Sequence, residues 1–318
     1  MEAILKIKNL TVHFPINIGT VRAVQNVDLT LNQGEVVGLV GESGCGKSTI
    51  GFSVLRLLRT PGRIVDGKII YDNQNIVTME RDQLLALRGN KISMIFQDPL
   101  TSLNPLFRID EQFIETIKIH EKTIKRRAAL SRASAILENL GISSDRLREY
   151  PHQMSGGMRQ RIMIGMALIL NPDILIADEP TTSLDVVVEA QFLDLLNDLR
   201  RQYNLTILLI THNLGVVAQL ADRIAVMYGS YIVEIGKANA IFKDPFHPYT
   251  QGLLASVPNI KLDQPKLSTM PGSPPDLVNP PNGCVFHPRC ARAMEICTQE
   301  IPKMSKRDGR FVRCWLYG

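Results

Sequence analysis

The chain contains no apolar stretch of 18 or more residues, which excludes a membrane-spanning helix. Its opening, Met1-Glu2-Ala3-Ile4-Leu5-Lys6, also lacks the charged and apolar regions of a cleavable secretory signal. A cytosolic protein is expected, with any path across a membrane supplied by other chains. Charge of one sign is scarce: 36 Lys and Arg stand against 31 Asp and Glu, for a net +5. From Cys284 onward there are seven basic and three acidic residues, so the small excess sits in the tail, where a solvated basic face is expected. The five cysteines include no C-x2-4-C pair, the spacing with which structural zinc sites grip their ion. A length of 318 residues suits one large α/β domain with an appendage.

What is present begins with Gly41-Glu42-Ser43-Gly44-Cys45-Gly46-Lys47-Ser48-Thr49, a match to G-x-x-x-x-G-K-[ST]. Ahead of it, Glu35-Val36-Val37-Gly38-Leu39-Val40 reads as a buried parallel strand, and Ile50 to Arg59 reads as a helix. Strand, Gly-rich turn and helix is the context a phosphate-binding loop needs. Gly44 and Gly46 allow close approach to phosphates, and successive N–H groups form an anion nest at a helix N-terminus. Lys47 would reach the β- and γ-phosphates of ATP, and the Ser48 hydroxyl would bind Mg²⁺. Cys45 is a bystander thiol within this loop.

Two more apolar runs end in polar residues. Ile174-Leu175-Ile176-Ala177 leads to Asp178 and Glu179, and Thr206-Ile207-Leu208-Leu209-Ile210 leads to Thr211 and His212. Ligands of open α/β sheets bind beyond the carboxyl ends of the strands. Asp178 is therefore placed to hold Mg²⁺, Glu179 to polarise the attacking water, and His212 to orient that water or touch the γ-phosphate.

With Gln97 in Met94-Ile95-Phe96-Gln97, Ser155-Gly156-Gly157, Ser183-Leu184-Asp185 and His212 in fixed order, residues 1 to about 258 resemble the ATP-binding subunit of an ABC transporter. The resemblance implies an α/β P-loop NTPase (RecA-like) core, an N-terminal antiparallel β-subdomain and an inserted helical subdomain at about 98–165. It also implies roles: Phe14 stacking on adenine, with His13 and Tyr71 as rival platforms, and Gln97 touching Mg²⁺ and coupling to the permease. Ser155, Gly156 and Gly157 become the signature, Asp178 and Glu179 the Walker B end, Asp185 the D-loop residue, and His212 the switch histidine. Met154 and Met158 depart from the usual Leu and Gln flanks, and Asn213 replaces the usual Asp. Ser155 is a good N-cap for a helix from Met158 through Leu170, whose dipole would face the nucleotide of a second subunit. Two subunits would then enclose two ATP molecules.

Longer stretches resemble the ATPase subunits of dipeptide and oligopeptide permeases. These are Gln97 to Pro105, Tyr150 to Ser155, and His247-Pro248-Tyr249-Thr250 with Leu253-Leu254. Implied partners are two integral-membrane permease subunits, a second ATPase subunit (a paralogue or an identical copy) and, indirectly, an extracytoplasmic substrate-binding protein. The implied place is the cytoplasmic side of the membrane, peripherally, with no nucleic-acid partner. Nickel or oligosaccharide cargo, a non-transport ABC ATPase acting on DNA or ribosomes, and a metal-sensing regulator are the competing functions. A single motif set, with 113 residues between Gly41 and Ser155, argues against the non-transport class.

The helical insertion reads as one helical stretch, Ile109 to Leu140, with Lys122, Lys125, Arg126, Arg127 and Arg132 mostly on a solvated face. Beyond a Pro-rich connector, Pro258 to Pro281, the extension 259–318 carries Cys284, Cys290, Cys297 and Cys314, spaced C-x5-C-x6-C-x16-C. Disulfides are disfavoured in a reducing compartment. The wide loops favour a [4Fe–4S] cluster of structural role, with Zn²⁺ or free or disulfide-bonded thiols as alternatives, and the peptide-permease resemblance extends over this pattern.

Overall fold

Val36–Val40 (β3) consists of β-branched and apolar residues, and every one of them is buried. The same holds for Ile174–Asp178 (β7) and Thr206–Thr211 (β8), as expected of strands covered on both faces. The computed structural model describes residues 2–97, 103–182, 185–256 and 270–318. Ser183, Leu184, Asp98 to Ser102 and the first part of the connector lie outside these residues. The chain divides into two compact units, Met1–Met79 with Leu208–Gly318, and Glu80–Ile207.

In the first unit, Ala3–Ile16 (β1) and Gly19–Asn32 (β2) form a long antiparallel pair. Arg63–Tyr71 (β4) and Gln74–Asn75 (β5) complete a sheet ordered β2-β1-β4-β5. This is the expected N-terminal antiparallel subdomain. A second sheet contains β3 between β8 and Arg223–Tyr228 (β9), with β3 and β9 parallel. Tyr231–Lys237 (β10) pairs with β9.

The tail contributes something its sequence did not announce. Ser305–Arg307 (β11) and Arg310–Val312 (β12) form a hairpin, and β12 pairs with β10 through Glu234↔Val312 and Ile235↔Phe311. The tail thus continues the sheet and covers its edge. Gly236 makes room for this, because a Cβ there would meet Arg310 Cγ at 2.8 Å. At the other sheet, the Arg22 N–H donates to the Leu277 carbonyl at 2.9 Å. Residues 270–281 hold no helix or strand.

The second unit holds Ile92–Ile95 (β6) and β7 as a parallel pair. The expected helix from Ile109 to Leu140 is two helices, Ile109–His120 and Arg126–Asn139. The break lets Arg126 reach back to the buried Asp110 at 3.1 Å, where Arg108 also binds at 2.9 Å. A buried carboxylate between two guanidiniums is compensated, so it fixes the angle of the turn. Arg132 is tied down as well, to Glu121 and to the Ile169 carbonyl, while Lys122, Lys125 and Arg127 remain exposed.

Candidate nucleotide site

The phosphate loop leaves β3 at Gly41 and enters Lys47–Val54 (α1). The helix is shorter than the expected Ile50 to Arg59, because Arg56 turns left-handed at φ +50°. Gly46 is the N-cap in a left-handed conformation, and a Cβ there would lie 2.1 Å from the Ala23 carbonyl oxygen. The need for glycine at 46 is therefore the close passage of β2. At Gly44, φ +79°, an added Cβ would meet nothing within 4 Å, so its surroundings are open to a ligand.

Lys47 is buried, at 6 % exposure. Among the described residues its ammonium donates to the Gly41 carbonyl at 2.8 Å and the Glu42 carbonyl at 2.9 Å, with Cys45 Sγ at 3.9 Å. No carboxylate is among those partners. A buried cation held on carbonyl dipoles invites an anion, and phosphate fits this loop. Burial pushes the Cys45 thiol up, which keeps it protonated and inert.

His212 follows β8, the neighbour of β3, and is exposed. Asn213, where an Asp is usual, caps Leu214–Leu220 by accepting from the Gly215 N–H at 2.9 Å. Asn caps as well as Asp, so the departure is structurally neutral. Phe14 is half-buried against Gly62, whose added Cβ would meet its ring at 2.3 Å. Tyr71 is buried at 9 %, and the His13 ring hydrogen-bonds Gln25 at 2.7 Å.

In the second unit the register Ile95↔Ala177 brings Gln97 and Asp178-Glu179 out at the same end of the β6–β7 pair. Asp178 is buried, at 2 %. Glu179 lies in the left-handed region at φ +49°, a conformation of the kind that clusters at functional sites. Its carboxylate accepts from Thr182 Oγ1 at 3.1 Å.

Ser155 caps Gly156–Leu168, accepting from the Met158 N–H at 3.3 Å. This helix begins two residues earlier than the sequence suggested, so both signature glycines lie in its first turn. Among the described residues a Cβ on Gly156 would meet nothing within 4 Å, so their packing does not require glycine there. Asp185 has a role not foreseen: its carboxylate accepts from the Val187 and Val188 N–H groups at 3.1 and 2.9 Å, capping Val186–Tyr203. Gln160 was missed altogether. It is buried at 1 % and donates to the Pro180 carbonyl, tying the signature helix to the turn after Glu179. The available signal was a polar residue on the apolar face of that helix.

His247-Pro248-Tyr249, near the end of the cassette, approaches the phosphate loop, the Glu42 N–H donating to the Tyr249 hydroxyl at 3.0 Å. Glu234, fully buried, accepts from the Phe246 and His247 N–H groups at 2.9 Å each. His247 caps Pro248–Ala255, its Nδ1 accepting from the Tyr249 N–H at 3.0 Å. Burial holds the His247 ring well below its ordinary 6.5, at about 3. Below pH 6.5 the unfolded chain binds a proton that the folded chain refuses, so stability falls as pH drops from 6.5 toward 3. His247→Asn keeps a capping side chain and removes the titration. Its melting temperature is expected to fall less steeply than that of the wild type between pH 7 and 5. Parallel curves would refute the assignment.

A Gly-rich phosphate loop whose buried lysine rests, among the described residues, on the Gly41 and Glu42 carbonyls marks a nucleotide-binding module. The family described as "ABC transporter" matches residues 24–182, and "Oligopeptide/dipeptide transporter, C-terminal region" matches residues 233–297. The chain is 47 % identical to the Bacillus subtilis dipeptide transport ATP-binding protein DppD, over 99 % of this chain and 95 % of that protein. It is 45 % identical to the Salmonella typhimurium oligopeptide transport ATP-binding protein OppD, over 99 % and 94 %. A dimeric post-hydrolysis structure of the ATP-binding cassette MJ0796 with ADP and Pi aligns with a TM-score of 0.66 and 28 % identity, covering 74 % of this chain and 98 % of that one. The chain belongs to the ABC transporter family, among its dipeptide and oligopeptide transport ATP-binding proteins.

Proposed function

We propose that this protein binds and hydrolyses ATP to power import of dipeptides or oligopeptides through a membrane permease. The observation that carries this is full-length similarity to dipeptide and oligopeptide transport ATP-binding proteins, including the matching C-terminal region. Among the described residues no helix is long and apolar enough to cross a membrane, so the path belongs to partners. Those partners are two permease subunits and a second ATPase subunit, with an extracytoplasmic binding protein acting indirectly. The chain sits peripherally on the cytoplasmic face. Residues 1–258 form the cassette, with its helical insertion at about 98–165, and 259–318 form the extension.

The chemistry follows from the residues. By the family resemblance, the N–H groups of Gly44 to Thr49 and the Lys47 ammonium would hold the phosphates, and Ser48, Gln97 and Asp178 are the residues that would ligate Mg²⁺, whose charge would offset that of the phosphates. Phe14 supports the adenine. Glu179 accepts the proton of the attacking water, and His212 orients that water. Ser155, Gly156 and Gly157, with Asp185, face the nucleotide of the second subunit. Lys47→Ala is expected to abolish uptake of a labelled dipeptide in cells that depend on this protein. Uptake at the wild-type rate would overturn the reading.

For the four tail cysteines a [4Fe–4S] cluster is our preferred reading, with Zn²⁺ as the alternative. Among the described residues no three His, Cys, Asp or Glu side chains are placed to hold a metal ion. Yet the four thiols lie within one another's fields. Burial pushes Cys284 up to about 11, and Cys297, Cys314 and Cys290 push it the same way. Cys290 and Cys314 are raised too, first by burial and then by neighbouring thiols. The Cys284 N–H donates to the Cys297 carbonyl at 2.8 Å. Cys297 and Cys314 are buried and Cys284 and Cys290 partly so, and thiolates that repel one another would be relieved by the cationic core of an iron–sulfur cluster. Cys284, Cys290, Cys297 and Cys314 would hold it, and its contribution would be structural cross-linking of a tail with little core. Anaerobically purified protein is expected to be brown, with about four irons and four sulfides per chain, both lost in Cys284→Ser. Colourless protein with about one zinc would contradict this.

A further inference from the structure

Glu42, the second residue of the phosphate loop, is gripped from three sides. Its carboxylate accepts from Arg289 Nη1 at 2.9 Å. Its N–H donates to the Tyr249 hydroxyl at 3.0 Å, and its carbonyl accepts from Lys47 Nζ at 2.9 Å. Two of these partners come from the end of the chain, 207 and 247 residues away.

Both distant partners are themselves immobilised. The Arg289 side chain is 6 % exposed, and its Nε donates to the Pro271 carbonyl at 2.8 Å. Its guanidinium lies 5.7 Å from the Tyr228 ring centroid. Gly272, at φ +75°, passes so close that an added Cβ would be 3.2 Å from Arg289 Cγ. Tyr249 is fully buried, with ring centroids 4.5 Å from Tyr228 and 5.6 Å from Phe286. Phe286 precedes and Arg289 ends the short turn His287–Arg289, between Cys284 and Cys290. One stiff aromatic and guanidinium cluster therefore runs from the cysteine segment to the phosphate loop.

We propose that Arg289, in the C-terminal extension, and Tyr249, at the end of the cassette, are positioning residues for the phosphate loop, fixing Glu42 so that together they set the affinity for nucleotide. The physical link is Lys47. Its ammonium rests on the Gly41 and Glu42 carbonyls and must exchange them for phosphate oxygens when nucleotide arrives. A Glu42 peptide held in one place keeps that exchange cheap and the anion nest pre-formed. A loosened Glu42 lets the loop relax around the lysine, and nucleotide then has to rebuild it. An ion pair with one nearly buried partner can sustain this, whereas a fully exposed pair would contribute little.

The inference rests on ATP being the ligand of the loop and not on any metal in the tail. The test is a double-mutant cycle of Glu42→Gln and Arg289→Met, with Tyr249→Phe as a variant that keeps the ring and Arg289→Lys as the conservative one. Fluorescent ADP affinity, KM for ATP, kcat and melting temperature are measured on the full chain. Arg289→Met is expected to weaken nucleotide binding about 5- to 30-fold with kcat at saturating ATP within about twofold, and Tyr249→Phe about 3- to 10-fold. The double variant should be no worse than the weaker-binding single, and Arg289→Lys should recover part of the loss. Unchanged affinity in Arg289→Met and Tyr249→Phe, or strictly additive singles, would overturn the proposal even if the melting temperature falls. Lys47→Ala, measured alongside, separates the two claims: if it still binds nucleotide like wild type, the ATP reading itself fails.

Discussion

Glu179→Gln leaves ATP binding near the wild-type level and lowers turnover by about 10²- to 10⁴-fold, the range that loss of a general base produces. The structure says why the substitution is selective. Glu179 sits one residue beyond a fully buried strand, in a left-handed turn, with its carboxylate held by Thr182. Glutamine keeps the size, the backbone demand and the acceptor for the Thr182 hydroxyl, and loses only the proton affinity. The residues proposed to bind phosphate, Lys47 and the loop around it, belong to a different stretch of the sequence. With binding intact and hydrolysis blocked, ATP should hold two subunits together, so the variant should elute as an ATP-dependent dimer. Stopped-assay phosphate release and size-exclusion chromatography with ATP check both halves. Ordinary turnover would remove Glu179 from the role of base.

Gly156→Asp is the second large effect, and it separates the single chain from the assembled pair. Because a Cβ at Gly156 would meet nothing within 4 Å among the described residues, a side chain there is not opposed by their packing. An acidic residue in the first turn is even favourable to the helix dipole. The charge would instead confront the phosphate of a nucleotide presented by the second subunit. Expected are a wild-type melting temperature and wild-type nucleotide affinity for the isolated chain, with turnover of the assembled ATPase pair lower by about 10²-fold or more, the scale of a misplaced charge at a reacting phosphate. Turnover unaltered in the assembly would show that Gly156 does not face a second nucleotide.

The parts legible in the sequence were those encoded contiguously. Gly41 to Thr49 carry their strand, turn and helix within one stretch, and Ser155 capped the helix it was expected to cap. The three apolar runs became buried strands, lengthened by a residue at the ends of Asp178 and Thr211. The illegible parts were encoded by pairs far apart. The carboxylate Asp110 decides that the helical insertion bends, yet its partner Arg126 looked like one of several solvated bases. β12 extends the sheet through only two register pairs with β10, too short for a pattern to appear. Glu42 reads as a filler position in the phosphate-loop motif, where any residue is allowed. Only the fold shows that Arg289 and Tyr249 seize it. Asp185 and Gln160 show a subtler limit: their types were visible, but capping and a buried carbonyl partner are facts of backbone placement.

The central claim is an ATPase whose work is peptide import. The most direct measurement is ATP hydrolysis by this chain assembled with its permease and second ATPase subunit in vesicles, with and without binding protein loaded with a dipeptide or oligopeptide. The account predicts hydrolysis stimulated several-fold by the peptide-loaded protein and abolished by Lys47→Ala. Hydrolysis indifferent to peptide but stimulated by a nickel- or oligosaccharide-loaded protein would contradict it.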